Sequence, residues 1–205
     1  MDLDTTQLFA IAAALGWASG LRLYAVVFLT GLAGLLGWVT LPEGLRVLQQ
    51  PLLLGASGLM LGVEFFADKV PGLDSVWDMV HTVIRIPAGA LLAAGVFGGD
   101  QASWMLIAAL MGGTLAATSH VAKASTRAAV NTSPEPFSNV GLSLLGDAAV
   151  PTMLWLAWEH PSWFFVALAM AVVLMLGLTV LLLKFLRRLL GRWRGTAAAS
   201  GQPTR

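Results

Sequence analysis

Residues 64–85 read EFFADKVPGLDSVWDMVHTVIR, and they constrain how the rest of the chain can fold. Four carboxylates, one histidine and two cations lie in this stretch, which separates two apolar runs. Ionisable side chains near lipid cost free energy, and they are retained where they have partners or a function. The stretch therefore predicts that other helices of the chain bring charges to meet it.

The composition indicates an integral membrane protein. Hydrophobic residues make up 57% of the 205 residues, charged residues make up 11%, and the mean hydropathy is +0.78. A soluble domain has roughly 25% charged residues, whereas several apolar runs here are long enough to span a bilayer. The sequence has no cysteine, which excludes disulfides, thiolate metal sites and cysteine nucleophiles.

We predict an all-α polytopic membrane helix bundle of about six spans, forming a single transmembrane domain (1–195) followed by a disordered tail (196–205). The expected spans are 7–38, 51–68, 74–98, 102–120, 139–158 and 162–183. The pattern of the fourth span continues as a polar helix through Arg127, and segments 40–50 and 131–138 are expected loops. Gly55, Gly58 and Gly62 are expected to give the second span a close-packing face.

The first apolar run is too long for one simple crossing. As a straight helix it would measure about 48 Å, against a hydrocarbon core of roughly 30 Å. The expected break is the segment 16–22, where Gly16, Ser19 and Gly20 loosen the backbone and Arg22 follows. We therefore predict a short, re-entrant piece at 7–18 and a span at 21–38.

The C-terminal residues determine the expected orientation. From Lys184 onward the chain carries basic residues and no acid. Directly after a span, such a tail sets topology and contacts anionic lipid more often than nucleic acid, so no nucleic-acid partner is expected. Counting six spans back places both termini in the cytoplasm of a multi-pass inner-membrane protein, although the acidic Asp2 and Asp4 fit this poorly. The expected outer aromatic belt consists of Trp38, Trp104, Trp158 and Trp163.

Helical spacing aligns the ionisable residues into stripes that are expected to face one another. In the 64–85 stretch, Glu64 and Asp68 are four residues apart and Asp74, Asp78, His81 and Arg85 share a face. The candidate solute- or ion-binding residues are Glu64, Asp68, Asp74, Asp78, His81, Arg85 and Asp147. The candidate counter-charges or clamps are Arg22, Lys69, His120, Lys123 and Arg127.

These residues allow two classes of function. In a small-solute or ion carrier, paired carboxylates suit a hard divalent cation, carboxylates with histidines suit proton relay, and arginines suit an anionic headgroup or organic acid. In a non-transporting scaffold or partner subunit, the same charges are structural ion pairs. The substrate, any metal and the oligomeric state stay open, and a homo-oligomer is compatible with the glycine face.

An enzyme is not expected, and neither is a cofactor. No Ser-His-Asp arrangement stands out, and triads are recognised by geometry rather than by one sequence. Glycine-rich phosphate-loop motifs are absent. A metal hydrolase built on Asp74, Asp78 and His81 is a weaker alternative.

Three segments (19–24, 64–89 and 119–136) resemble a bacterial membrane family catalogued as domain of unknown function 4126. The resemblance covers about residues 7–185 and implies a multi-span membrane protein without supplying an activity. A looser similarity is to cation exchangers with a Glu-x-Gly-Asp-Lys/Arg-Ser/Thr signature. Glu64, Asp68 and Lys69 echo this signature, but the carboxylates are four residues apart, and Ala67 and Val70 depart from it.

Two pairs of segments predict an inverted repeat of three helices each. Segments 18–22 and 122–127 both place an arginine shortly after small polar residues. A Val-Pro pair comes shortly after Asp68 (Val70-Pro71) and shortly after Asp147 (Val150-Pro151). Transporters are often built from such repeats, with discontinuous helices at the midplane.

Overall fold

The computed structural model describes residues 3–70, 72–98, 101–132 and 137–199, without the side chains of 186 and 188–199. Secondary structure in these ranges is entirely helical, which confirms the predicted all-α class. The elements are α1 (Thr5–Leu35), a 3₁₀ helix (Glu43–Gln49), α2 (Pro51–Ala67), α3 (Leu73–Ala94), α4 (Ala102–Val130), α5 (Phe137–Glu159) and α6 (Pro161–Ala199).

The helices have the length and apolar surface of membrane spans. Five are long and apolar enough to cross a bilayer, and the 3₁₀ helix with α2, bent by 70°, makes up a sixth such segment. In α6, apolar side chains are exposed on several faces, among them Val173 at 69% and Leu181 at 65%. Such a surface is stable against lipid and not against water. The chain is an integral membrane protein, and its bundle contains about six helical segments of membrane-spanning length.

Several helix boundaries differ from the predicted spans. The expected loop at 40–50 contains the 3₁₀ helix, because Leu45 and Leu48, three residues apart, are both buried. Helix α3 ends at Ala94, before Gly95, instead of reaching 98. Helix α6 continues to Ala199, into the segment for which the sequence predicts disorder. Residues 200–205, and 133–136 of the predicted loop, lie outside the described part.

Helix α1 is broken at Arg22, inside the region where the sequence predicts a break. Arg22 has φ −148° and ψ 82°, while the residues on both sides are helical. A single extended residue redirects the helix axis, so α1 consists of a first half, 5–21, and a second half, 23–35. The first half is the most buried segment of the bundle, with Ala10 to Leu15 at 1% exposure or less.

Contacts at the two ends of α1 show that the helix folds back at Arg22. Near its start, the Gln7 amide donates a hydrogen bond to the Trp158 carbonyl at 3.1 Å. Near its end, Thr30 and Ala33 line a cavity together with Trp158. In a straight α-helix, residues 7 and 33 would be about 39 Å apart. Residues 7 and 33 therefore both lie near the C-terminal end of α5, and Arg22 forms the tip of a helical hairpin.

The hairpin tip lies at the end of the bundle where the ionisable residues collect. Helix α2 ends there and α3 begins there, because Asp68, which follows α2, and Asp74, in the first turn of α3, both lie near Arg127. Helix α4 ends there, because Asn131 donates to the Asp74 carboxylate at 3.1 Å. We refer to this as the network end, and to the end that carries the 3₁₀ helix and Trp158 as the opposite end.

Gly16 and Gly20, in the first half of α1, are helical and allow close packing against α4, whereas the sequence predicts that they loosen the backbone. A Cβ added at Gly16 would lie 2.7 Å from the carbonyl oxygen of Gly112, and one at Gly20 would collide with the Ala116 carbonyl. The predicted close-packing face of α2 is used only in part. Gly58 meets Phe28, but Gly55 and Gly62 have no atom within 4 Å of an added Cβ.

This packing makes Gly16 sensitive to a single methyl group. Gly16→Ala should lower the free energy of unfolding by about 1–3 kcal/mol, because two helix backbones must separate. The matched Gly62→Ala variant should be neutral or slightly stabilising, since alanine favours helix and meets nothing there. Thermal unfolding of both purified variants in neutral detergent measures the difference. Equal melting temperatures would contradict the close contact.

The two halves of the predicted inverted repeat differ in this fold. Helix α1 is broken at Arg22, whereas α4 is one continuous helix through the corresponding segment 122–127. The discontinuity is therefore not mirrored in the second half. The repeat remains a prediction without support from helix geometry.

Candidate functional site

Ten ionisable side chains at the network end form one connected set of ion pairs. Each of its five carboxylates lies within 4.0 Å of at least one of its five cations. The members of this ion-pair network are Glu64, Asp68, Asp74, Asp78, Asp147, Arg22, Lys69, Arg85, Lys123 and Arg127. The network is neutral when all members are ionised, which lowers the cost of holding charge in the membrane.

A ring of alternating charge forms the centre of the network. Lys123 bridges Asp68 at 2.9 Å and Asp78 at 3.2 Å. Arg127 bridges the same two carboxylates at 3.0 and 3.5 Å. All four side chains are at most 9% exposed. Because Asp68 follows α2, Asp78 lies in α3 and the cations lie in α4, the ring joins three helices.

Arg85 connects the ring to Glu64. Its guanidinium donates to Glu64 Oε1 at 2.6 Å and to Asp78 Oδ1 at 2.7 Å. Arg85 and Glu64 are both 0% exposed. Short, charge-assisted hydrogen bonds of this kind are stronger than neutral ones, and Arg85 is the only cation near Glu64 among the ion pairs of the described residues.

Arg22 brings the hairpin tip into the network. Its side chain lies 3.1 Å from Asp68 and 2.8 Å from Asp147. Asp147 also pairs with Lys69 at 3.1 Å, and Arg22 donates to the Ser143 hydroxyl at 2.8 Å. Asp147 and Lys69 are about one-fifth exposed, more than the other members of the network.

Asp74 has a capping role at the start of α3. Its carboxylate accepts hydrogen bonds from the backbone N–H groups of Gly72 and Ser75, at 2.9 and 2.6 Å, and from Asn131. Arg127 is more distant, at 3.6 Å. A carboxylate at a helix N-terminus is stabilised by the unpaired N–H groups there.

The two candidate histidines take different positions. His120 touches the network, since Nδ1 lies 3.5 Å from Arg85 and Nε2 lies 2.8 Å from the Thr82 hydroxyl. His81 lies beside the network, stacked on Trp77 with ring centroids 4.1 Å apart. Its Nε2 is 3.1 Å from the Tyr24 hydroxyl. A proton relay through either histidine stays a hypothesis.

Sequence reasoning missed several polar partners of the candidate residues, among them Ser143 and Tyr24. Ser143 lies one turn before Asp147, so its helical spacing signals that both side chains share a face. Tyr24 is the only tyrosine of the chain and follows Arg22 by two residues. Its pairing with His81 depends on the fold-back of α1, which sequence spacing does not reveal.

The arrangement of the carboxylates does not favour a divalent-cation site. Their oxygens point to arginine and lysine nitrogens, as the central ring shows. Among the described residues, no group of three or more Asp, Glu or His side chains is placed to hold a metal ion. A calcium or magnesium site needs several oxygen ligands converging on one point.

A cavity of about 240 Å³ reaches the network between α1, α4, α5 and α6. Arg22, Asp68, Lys123 and Arg127 line its polar end. The other walls are mostly apolar, contributed by residues such as Leu142 in α5. The remaining candidates, including Glu64, Asp78, His81 and Arg85, are not among its lining residues. Four members of the network therefore line a cavity.

Comparison with known protein families assigns the sequence to one of them. The profile of a family described as Domain of unknown function (DUF4126) matches residues 9–181. The chain belongs to the DUF4126 family. The match includes every member of the ion-pair network, the break of α1 and the first half of α6, and it confirms the resemblance seen in the sequence. No curated protein and no solved structure matches the chain.

Proposed function

We propose that this DUF4126 protein is a membrane carrier for a small solute or ion, whose site is the junction between the cavity and the ion-pair network. The observation that carries the proposal is that the cavity reaches Asp68, the carboxylate held by three cations. A solute that competes for any of these cations changes pairs that join α1, α2 and α4. Binding is thereby linked to the relative positions of helices.

The break at Arg22 supports the same function. Irregular backbone at membrane depth is tolerated where protein or a water-filled cavity lines it, and Arg22 lies at the cavity wall. Carriers commonly place discontinuous helices at their sites. The hairpin tip, the cavity and the network meet at one point, which is what a gated site requires.

The alternative function, a non-transporting scaffold or partner subunit, is favoured by one observation. Every carboxylate of the network has a cation partner, and Glu64 and Arg85 are fully buried. A self-neutralising network needs no ligand, and it can hold helices in register by itself. The two functions differ in whether the cavity is reached by water from both sides of the membrane.

Cysteine labelling tests this difference without knowledge of the substrate. The chain has no cysteine, so single-cysteine variants have no background. Gly146 lines the cavity, and an added Cβ there would be in ordinary contact, 3.6 Å from Arg22 Nε. A carrier predicts that Gly146→Cys reacts with a membrane-impermeant maleimide in vesicles of both orientations. Gly62→Cys, outside the cavity and meeting nothing within 4 Å, should react in neither.

Two exposed positions calibrate the orientation of the vesicles. Glu43 lies at the opposite end and Thr132 follows α4 at the network end, so Glu43→Cys and Thr132→Cys should each react in only one orientation. If Gly146→Cys reacts in one orientation only, or in neither, the carrier proposal fails and the scaffold is supported.

We also propose a topology that follows from the α1 hairpin. With α1 folded back, five helices (α2–α6) connect the two ends of the bundle, and the chain termini then lie on opposite sides of the membrane. Lys69, Lys123, Arg127 and Lys184 belong to the network end, which the positive-inside rule places in the cytoplasm. The N-terminus, with Asp4, then lies on the outer side of the inner membrane. An acidic N-terminus on that side agrees with the positive-inside rule, whereas a cytoplasmic one does not.

Three of the four tryptophans of the expected outer belt have the exposure and position that a belt at the opposite end requires. Trp38, Trp104 and Trp163 are 72%, 45% and 69% exposed and lie near helix ends at the opposite end, as an interfacial belt requires. Trp158 is not part of the belt, because it is 8% exposed and packs in the core.

A further inference from the structure

The walls of the network-end cavity have two chemical characters. At one end three cations, Arg22, Lys123 and Arg127, face the single carboxylate Asp68. Along the rest, apolar side chains of α5 and α6 dominate, including Leu142, Leu145, Leu174, Met175 and Leu178. A purely polar solute would make no apolar contacts with these walls, and a purely apolar solute would not pair with the charged side chains.

Cations outnumber carboxylates among the lining residues of the cavity, which favours an anionic ligand. Asp147 also pairs with Arg22, and Asp78 with Lys123 and Arg127, but neither carboxylate lines the cavity. A ligand at the polar end therefore meets three positive groups within 3.1 Å of one shared carboxylate. An anionic group is attracted there, since arginine and lysine are the usual partners of carboxylate and phosphate.

The cavity opens sideways toward lipid. Two of its lining leucines, Leu145 in α5 and Leu174 in α6, are also 66% and 71% exposed on the bundle surface. An apolar chain can therefore extend from the cavity into the surrounding hydrocarbon. With about 240 Å³, the cavity is smaller than typical ligand pockets of roughly 300–1,000 Å³, which suits a compact head with part of one chain.

We propose that this cavity binds an amphipathic anion, with a carboxylate or phosphate head at Arg22, Lys123 and Arg127 and an apolar chain between α5 and α6. The proposal rests on the proposed carrier function and names the ligand class of that site. The head competes with Asp68 for its cations, and the chain replaces lipid along the leucine walls.

Ligand-dependent thermal unfolding of the full chain in neutral detergent tests the ligand class. Octyl phosphate should raise the melting temperature saturably, by about 3–6 °C at ten times its Kd. Octanol, octylammonium and inorganic phosphate should give no saturable shift, because they lack the charge, carry the wrong sign or lack the chain. A full shift with inorganic phosphate would show a site for free anions, and a full shift with octanol a purely apolar site. Either result overturns the proposal.

Adjacent alanines provide a matched pair for locating the site. Ala149 lines the cavity, whereas Ala148 is exposed and does not. Ala149→Phe should abolish the octyl phosphate shift, and Ala148→Phe should retain it. If Ala149→Phe does not fold, Leu178→Trp and its off-cavity neighbour Leu176→Trp make the same comparison. Retention of the shift in a folded cavity-filling variant would place the ligand elsewhere and refute the assignment.

The two proposals fail separately. Octyl phosphate binding is measured without transport, and two-sided labelling of Gly146→Cys is measured without ligand. A protein that binds octyl phosphate but is labelled from one side has the site and is not a carrier. A protein labelled from both sides that ignores octyl phosphate is a carrier for another class of solute.

Discussion

Replacing Arg85 with methionine should cause a large loss of stability. Arg85 is fully buried and is the cation bound to Glu64, at 2.6 Å. Removing one partner of a buried ion pair leaves an uncompensated charge, which typically costs about 3–5 kcal/mol. The loss of Arg85 costs less free energy at Asp78, because Lys123 and Arg127 remain beside this carboxylate. Thermal unfolding of the purified variant in neutral detergent measures the loss.

A double variant separates the lost ion pair from lost packing. In Glu64→Gln/Arg85→Met the stranded carboxylate is neutral, so the double variant should be more stable than Arg85→Met alone. Arg46, an exposed cation of the 3₁₀ helix, provides the control, and Arg46→Met should change stability by less than about 0.5 kcal/mol. Stability of Arg85→Met equal to that of the unmodified protein would show that the pair is not formed.

Residues near the N-terminus and in the 3₁₀ helix should be accessible from the same side of the membrane. Because α1 folds back at Arg22, Thr5 and Glu43 are both expected at the opposite end of the bundle. If α1 instead crossed the membrane once, these two residues would lie on opposite sides. The effect is all-or-none, and it does not depend on which end is cytoplasmic.

Impermeant maleimide labelling of intact cells distinguishes the two topologies. Thr5→Cys and Glu43→Cys should react in intact cells, while Thr132→Cys and Arg187→Cys should react only after permeabilisation. All four side chains are exposed in the structure. Labelling of Thr5→Cys together with Arg187→Cys from one side, and of Glu43→Cys from the other, would refute the hairpin.

Much of the network could be predicted from spacing alone. Residues four apart on a helix share a face, which grouped Glu64 with Asp68 and predicted that the polar stripes face one another. Its pairings could not be predicted in the same way. Asp68 binds cations from α1 and α4, and contacts between helices depend on packing that spacing within one helix does not encode.

The roles of the glycines could also be predicted from the sequence only in part. In the sequence, Gly16 and Gly20 could loosen a helix or allow another helix to approach, and Gly62 could pack or face lipid. The structure places Gly16 against Gly112 and leaves Gly62 without a neighbour within 4 Å. A glycine permits close approach but does not specify the partner, because the partner is distant in the chain.

The sequence alone determined the membrane environment, the helical class, the position of the break in α1 and the ionisable residues that must meet. These are local properties, set by hydropathy, helical period and the cost of charge in lipid. Only the tertiary structure decided that α1 returns to the end where it began, which cations hold which carboxylates and which four network members reach a cavity. The sequence indicates where helix α1 changes direction. The new direction depends on the helices against which the two halves of α1 pack.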